Sequence, residues 1–180
     1  MRSFPVLLVA GIAGGNAPLG PLVARLRKTG FTASCVFAPP VRSGLLGPPV
    51  RRLRREIMAY PGPMPLVLLG YSMGGLIAVS ALEEAAAASR VRRVVTFGAP
   101  FDGALGWPGN KKLERVRAVL NARDRRWSFA AANGRRDVLA PFPQSAVPAR
   151  EGYGGDYGHH SILDDSELLD LLVRLIAGGG

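Results

Sequence analysis

Short, almost uninterrupted apolar runs alternate with helix-like stretches along this chain, and that alternation constrains its fold more than any other feature. The runs lie at 6–10, 33–37, 66–69, 91–97 and, less distinctly, 127–131. Stretches of helical character lie between them at 19–29, 50–59 and 73–88, with a last one at 168–176. A strand that is apolar at every position has no wet face, so both of its sides must be covered. A parallel sheet sandwiched between helices meets that condition. Right-handed crossovers then bring the C-terminal ends of the strands to one edge, where the functional groups of open α/β sheets collect. Any residue just after a strand is a site candidate before a motif is consulted.

The expected architecture is one α/β domain over 1–180, with about six mostly parallel strands, helices on both faces and little or no cap. The segment 99–122 breaks the rhythm. Its first part is loop chemistry and 111–120 is a short helix, together read as a rim or partial cap. The glycines at 178–180 are read as a flexible tail.

The composition agrees with this. The chain has 180 residues, 48% of them apolar and 20% charged, which suffices for one buried core and excludes intrinsic disorder. No apolar run approaches the ~18–20 residues that a bilayer-spanning helix needs. Cys35 is the only cysteine, so an internal disulfide is impossible and no oxidising compartment is required. Residues 4–13 are apolar enough for the centre of a signal peptide, but a single Arg2 precedes them and the run is needed as the first strand. The expected location is cytoplasmic.

The formal charge of +10 comes from 23 basic and 13 acidic residues, in small basic groups such as Arg92 and Arg93, Lys111 and Lys112, or Arg125 and Arg126. Weak attraction to anionic surfaces follows. Aromatic residues are not interleaved with these groups and no nucleic-acid motif accompanies them, so no specific nucleic-acid partner is expected. Over 50–57 the apolar residues are Val50, Leu53 and Ile57, which assigns Arg51, Arg52, Arg54 and Arg55 to a solvated helix face.

The sequence Gly70-Tyr71-Ser72-Met73-Gly74 is short enough to recur by chance, but its setting is specific. A buried-type strand precedes it and an apolar helix follows. That strand–turn–helix context is the one in which a G-x-S-x-G serine is lifted off the sheet on a tight, strained turn. Side chains two residues to either side would collide with neighbouring backbone, which accounts for Gly70 and Gly74. The Met73 N–H falls in the first helical turn, where unpaired donors and the positive end of the helix dipole favour an oxyanion.

A serine nucleophile needs a base and an acid. The two histidines, His159 and His160, are adjacent and stand just before the last helix. Asp137 follows the 127–131 strand, so Ser72, Asp137 and a histidine occur in the order Ser, Asp, His. Asp102, after the preceding strand, is the reserve acid, and Asp156 is too near the histidines in sequence to orient one easily. No Cys/His or clustered-carboxylate arrangement has metal-ligand spacing, so no metal or cofactor is expected.

With those residues in place, the chain resembles the α/β-hydrolases, and among them the small lid-less bacterial lipases and esterases. The resemblance runs from Val6 to about Ile176 and is densest in the turn 10–15, the elbow 70–75 and Gly158-His159-His160-Ser161-Ile162-Leu163. The last segment is similar to the family's Gly-His-x-x-Leu-Leu stretch, which selects His159 over His160. Residues 95–100 resemble a lipase strand ending in a Gly-x-Pro turn. The resemblance implies Ser72 as nucleophile, His159 as base, Asp137 as acid, and the N–H groups of Ile12 and Met73 as the oxyanion hole.

Two departures stand out. Ala10-Gly11 replaces the family's usual His-Gly pair, and 151–158 is a poor strand. Gly11 and Tyr71 are taken as substrate contacts, and an acyl chain is assigned to an apolar rim of Phe101, Leu105 and Trp107 with Leu45 and Leu46.

The implied activity is hydrolysis of short- to medium-chain carboxylic esters through an acyl-enzyme, with thioesters as an alternative on the same groups. A binding protein of this fold, holding an anionic partner through its arginines, is the alternative of another class. A dinucleotide-binding reading fails, because the glycines after the first strand do not fit G-x-G-x-x-G and the second strand ends in Phe37-Ala38-Pro39-Pro40 with no acid for a ribose.

Overall fold

The computed structural model describes residues 4–11, 19–37, 46–102, 110–138, 152–156 and 158–178. Six strands form one sheet: β1 (Val6–Val9), β2 (Ala33–Phe37), β3 (Leu66–Tyr71), β4 (Val91–Phe97), β5 (Ser128–Gly134) and β6 (Gly152–Gly155). Their order is β2-β1-β3-β4-β5-β6, and every neighbouring pair is parallel. The helices are α1 (Gly20–Lys28), α2 (Gly47–Ala59), α3 (Met73–Ala81), α4 (Ala85–Ser89), α5 (Asn110–Asn121) and α6 (Ser166–Ala177).

The apolar runs divide between two cores by the alternation of side chains along a strand. Leu7, Val9, Leu66, Leu68 and Val94 join Leu53 and Ile57 of α2, Leu76 of α3 and Leu113 and Val116 of α5. Val6, Leu8, Val67, Leu69, Tyr71, Val95 and Phe97 join Leu22 and Leu26 of α1 and Leu168, Leu172 and Ile176 of α6. Each central strand is buried on both sides, which is why its sequence has no polar alternation. The chain turns outward to β2 after β1 and inward past β1 to β3, so the ends of β1 and β3 flank a topological switch point, where such sheets place their ligands.

The structure differs from the sequence reading at five points. The helix expected over 73–88 is two, α3 and α4, with Glu84 extended between them (φ −86°, ψ 120°). Arg54 holds this break. Its guanidinium donates to the carbonyls of Ala81 and Ser80, at 3.0 and 3.1 Å, and faces Glu83 and Glu84 at 3.6 and 3.4 Å. It thereby satisfies acceptors that a helix C-terminus leaves open, so Arg54 does not belong to the solvated face, whereas Arg51, Arg52 and Arg55 are exposed.

The poor strand at 151–158 contains β6, a four-residue edge strand paired with β5. Helix α5 is no cap: Leu113, Val116 and Leu120 bury it in the α2–α3 layer. Gly178 is no loose tail either, since it closes α6 in the left-handed conformation (φ 79°) that such a cap requires. Residues 103–109 of the expected rim and 179–180 of the expected tail lie outside the described residues.

Candidate active site

Strand β3 delivers Ser72 at its C-terminal end, and α3 begins at the next residue. Ser72 has φ 53° and ψ −126°, and among the described residues it is the only non-glycine with a positive φ. Such a conformation costs of order 1–3 kcal/mol and persists only where its surroundings over-determine it. They do so here. The Ser72 N–H donates to the Phe97 carbonyl at 3.0 Å, and the Ser72 carbonyl accepts from Gly75 N–H at 3.0 Å.

The glycines make the turn sterically possible. A Cβ at Gly70 would lie 2.6 Å from the Gly75 Cα, and one at Gly74 would lie 1.9 Å from the Val9 carbonyl oxygen. The start of α3 therefore rests directly on the end of β1. Gly11 closes from the other side, where a Cβ would meet that of Ser72 at 2.9 Å.

His159 sits in the turn before a 3₁₀ segment, Ser161–Leu163, that leads into α6. Its Nε2 is 2.9 Å from Ser72 Oγ, and its Nδ1 is 2.9 and 3.1 Å from the two Asp137 carboxylate oxygens. A carboxylate can only accept, so the proton of the neutral imidazole belongs on Nδ1, leaving Nε2 to accept from the serine hydroxyl. Asp137 follows β5 in a turn closed by its N–H to the Gly134 carbonyl, and it is fully buried. Three residues separated by 65 and 22 positions in sequence thus form one hydrogen-bonded line along the C-terminal edge of the sheet.

The other candidates fall elsewhere. Asp102 faces Arg117 at 3.9 Å, and Asp156 pairs with Arg136 at 2.8 Å on the surface. His160 is exposed, its ring edge-on to that of His159. Met73 is the first residue of α3, where the backbone N–H has no acceptor within the helix. Ile12, Leu45, Leu105 and Trp107 lie outside the described residues.

Phe101 does not line a rim. It is fully buried and packs edge-on against Phe129 with centroids 5.8 Å apart, while Leu46 is buried in the same core. Both are long apolar side chains next to a helical layer that could bury them, and burial won.

Two features of the site have only a faint trace in the sequence. Gly98, just past β4, has φ 58°, and a Cβ there would stand 3.3 Å from Asp137 Oδ2 and 3.4 Å from His159 Nδ1. It is the glycine of the Gly-x-Pro turn that ends the lipase-like strand at 95–100; its closeness to Asp137 and His159 is what the sequence does not display. Tyr71, expected to touch substrate, turns inward instead: its hydroxyl donates to the His159 carbonyl at 2.9 Å.

Burial first, and then the negative charge of Asp137, push the Tyr71 phenol up from 10.0 to about 12. The folded-state value exceeds the unfolded one, so the folded chain holds the proton more tightly between about pH 10 and 12. The associated stability is present in full below about pH 10 and is lost as the pH rises through about 12. Unfolding free energies of wild type and Tyr71→Phe, measured by denaturant titration, are therefore expected to converge above pH 10. A gap that stays constant across this window would contradict the assignment.

No protein-family model matches the sequence, and curated proteins give no match to it by sequence. Solved structures do match. A lipase of Bacillus licheniformis in its mature form superposes with a TM-score of 0.78 at 18% identity, over 97% of this chain and 92% of that one. Polyneuridine aldehyde esterase superposes with a TM-score of 0.72 at 15% identity, over 98% of this chain and 100% of the other. An extracellular α/β-hydrolase of a Paenibacillus species gives 0.69 at 13% identity, over 98% and 99% of the two chains.

The chain therefore has the α/β-hydrolase fold. At these identities the likeness is one of fold, and the structures that share it include lipases and esterases. No helix among the described residues is long and apolar enough to cross a membrane.

Proposed function

We propose that this chain is a serine hydrolase that cleaves carboxylic esters of short- to medium-chain acyl groups. The observation that carries the reading is the unbroken hydrogen-bonded line from the Ser72 hydroxyl, through both nitrogens of His159, to a fully buried carboxylate. A serine hydroxyl is a weak nucleophile unless a base removes its proton as it attacks, and an imidazole at 2.9 Å is within reach to do so.

In the first step Ser72 Oγ bonds to the ester carbonyl carbon while its proton passes to His159 Nε2. Asp137 stabilises the imidazolium that forms and keeps the ring in the required tautomer. The carbonyl oxygen, now an anion, is received by the Met73 N–H, with Ile12 proposed as the second donor. The intermediate then expels the alcohol, which takes the proton from Nε2 and leaves an acyl-Ser72. Water repeats the sequence: His159 takes its proton, the oxygen attacks the acyl carbon, and the proton returns to Ser72 as the carboxylic acid departs.

Acyl thioesters are open to the same chemistry. The binding-protein alternative has less to draw on, because several arginines are used within the fold. Arg54, Arg90 and Arg117 donate to the carbonyls of Ala81, Tyr60 and Phe101. A cytoplasmic location and a weak attraction to anionic surfaces, from the charge of +10, complete the proposal.

A panel of p-nitrophenyl acetate, butyrate, octanoate and palmitate tests it, with an acyl-thioester arm followed by thiol release. Turnover highest on the shorter oxygen esters is expected. Preference for palmitate would overturn the chain-length assignment, and turnover confined to thioesters would overturn the ester assignment.

A further inference from the structure

We propose that Tyr71 is a positioning residue that fastens the segment carrying His159 to the nucleophile turn, with its hydroxyl holding the His159 carbonyl and its ring backing the imidazole. The inference rests on the serine-hydrolase reading and names a residue that this reading does not need for its chemistry.

Among the described residues, the segment bearing the base meets the rest of the fold at few points: the pairing of β6 with β5, the Arg136 guanidinium that donates to the Asp156 carbonyl at 2.6 Å, and Leu163 buried in the α1–α6 core. Strand β6 is a four-residue edge strand with three glycines, Gly152, Gly154 and Gly155, and glycine carries the largest loss of backbone freedom on ordering. Beyond it, the bonds that fold the turn are local: Gly158 N–H to Ser161 Oγ at 2.9 Å, and Leu163 N–H to the His160 carbonyl at 3.2 Å. Neither ties the turn to the sheet.

Tyr71 does. It is the last residue of β3, an interior strand flanked by β1 and β4, and it is buried, 7% exposed as a residue. Its ring stacks on Phe97, at 5.0 Å and 27°, and on the His159 imidazole, at 5.4 Å and 28°. At neutral pH the phenol is protonated, and so a donor. Because Tyr71 immediately precedes Ser72, the backbone that sets the nucleophile also sets the anchor of its base. The ring adds a second effect. When His159 becomes an imidazolium during attack, it does so against an aromatic face, which attracts a cation more than a neutral ring.

Both effects act on the transition state rather than on substrate binding. Tyr71→Phe keeps the ring and loses the donor, Tyr71→His keeps a ring and an N–H donor, and Tyr71→Leu loses both. With p-nitrophenyl butyrate, kcat is expected to fall about tenfold in Tyr71→Phe and further in Tyr71→Leu, with KM within about twofold of wild type. Tyr71→His is expected to lie above Tyr71→Leu. The low-field proton resonance of the His159 Nδ1–H, which a merely structural role would not move, is expected to broaden in Tyr71→Phe.

Unchanged kcat and an unchanged resonance in Tyr71→Phe, beside an active wild type, would overturn the role of Tyr71 and leave the hydrolase reading intact. A wild type with no turnover and no covalent labelling of Ser72 would remove that reading, and this inference with it. Should Tyr71→Phe fail to fold, equal kcat in Tyr71→His and Tyr71→Leu overturns the inference.

Discussion

Ser72→Ala is expected to lower ester turnover by a factor of about 10⁴ to 10⁶ while leaving the fold in place. The substitution removes one oxygen and keeps the Cβ, so the contact with Gly11 and the turn held by Phe97 and Gly75 are unaltered. What disappears is the atom proposed to form the acyl-enzyme. A small residual rate should survive, because the proposed oxyanion donors would still act on attack by water. The strained φ of 53° is no easier for alanine than for serine, so the thermal midpoint should move little. Initial rates on p-nitrophenyl butyrate, with circular dichroism to confirm folding, provide the check. Retention of more than about one per cent of wild-type kcat would be incompatible with Ser72 as nucleophile.

Asp137→Asn should reduce kcat by about 10⁴ with little change in KM. The amide is nearly the same size as the carboxylate, so the buried site can remain filled. Its chemistry is reversed, however: an NH₂ directed at His159 Nδ1 favours the tautomer with the proton on Nε2, and that nitrogen can then no longer accept from Ser72. The charge that stabilises the imidazolium is lost as well. Asp102→Asn is the matched control, since its carboxylate faces Arg117 at the surface, and it should leave kcat within about twofold of wild type. The reverse pattern, with Asp102→Asn inactive and Asp137→Asn active, would transfer the acid role to Asp102.

The α/β architecture was legible because strands buried on both faces cannot alternate apolar and polar residues, and runs such as Leu66-Val67-Leu68-Leu69 display this directly. The alignment of Ser72, Asp137 and His159 was foreseeable for a related reason. Ser72 and Asp137 each follow a strand that the sequence displays, and a parallel sheet brings strand ends to one edge; His159 was placed by its position just before the last helix and by the likeness of 158–163 to the family's Gly-His-x-x-Leu-Leu stretch.

What could not be read depends on partners distant in sequence. Gly152-Tyr153-Gly154-Gly155 carries no strand propensity of its own, and its pairing with β5 supplies the conformation. The break between α3 and α4 is held by Arg54, 26 positions upstream of Ser80, so nothing local to residues 82–84 announces it. Phe101 is apolar and lies beside a loop, a description that suits a rim or a core equally, and only the packing of Phe129 and α5 decides between them. For Tyr71, strand alternation assigns the side chain to the α1–α6 face, but its acceptor is a main-chain carbonyl, which leaves no mark in a sequence.

The most direct test of the account is a covalent one. An alkyl fluorophosphonate reacts with a serine only where a neighbouring base activates the hydroxyl and nearby donors accept the phosphoryl oxygen. Peptide mapping by mass spectrometry after brief exposure is expected to find one adduct per chain, on Ser72, and none in Ser72→Ala or in protein unfolded before exposure. A folded wild-type chain that remains unlabelled at Ser72, or that takes up the probe equally after unfolding, would contradict it.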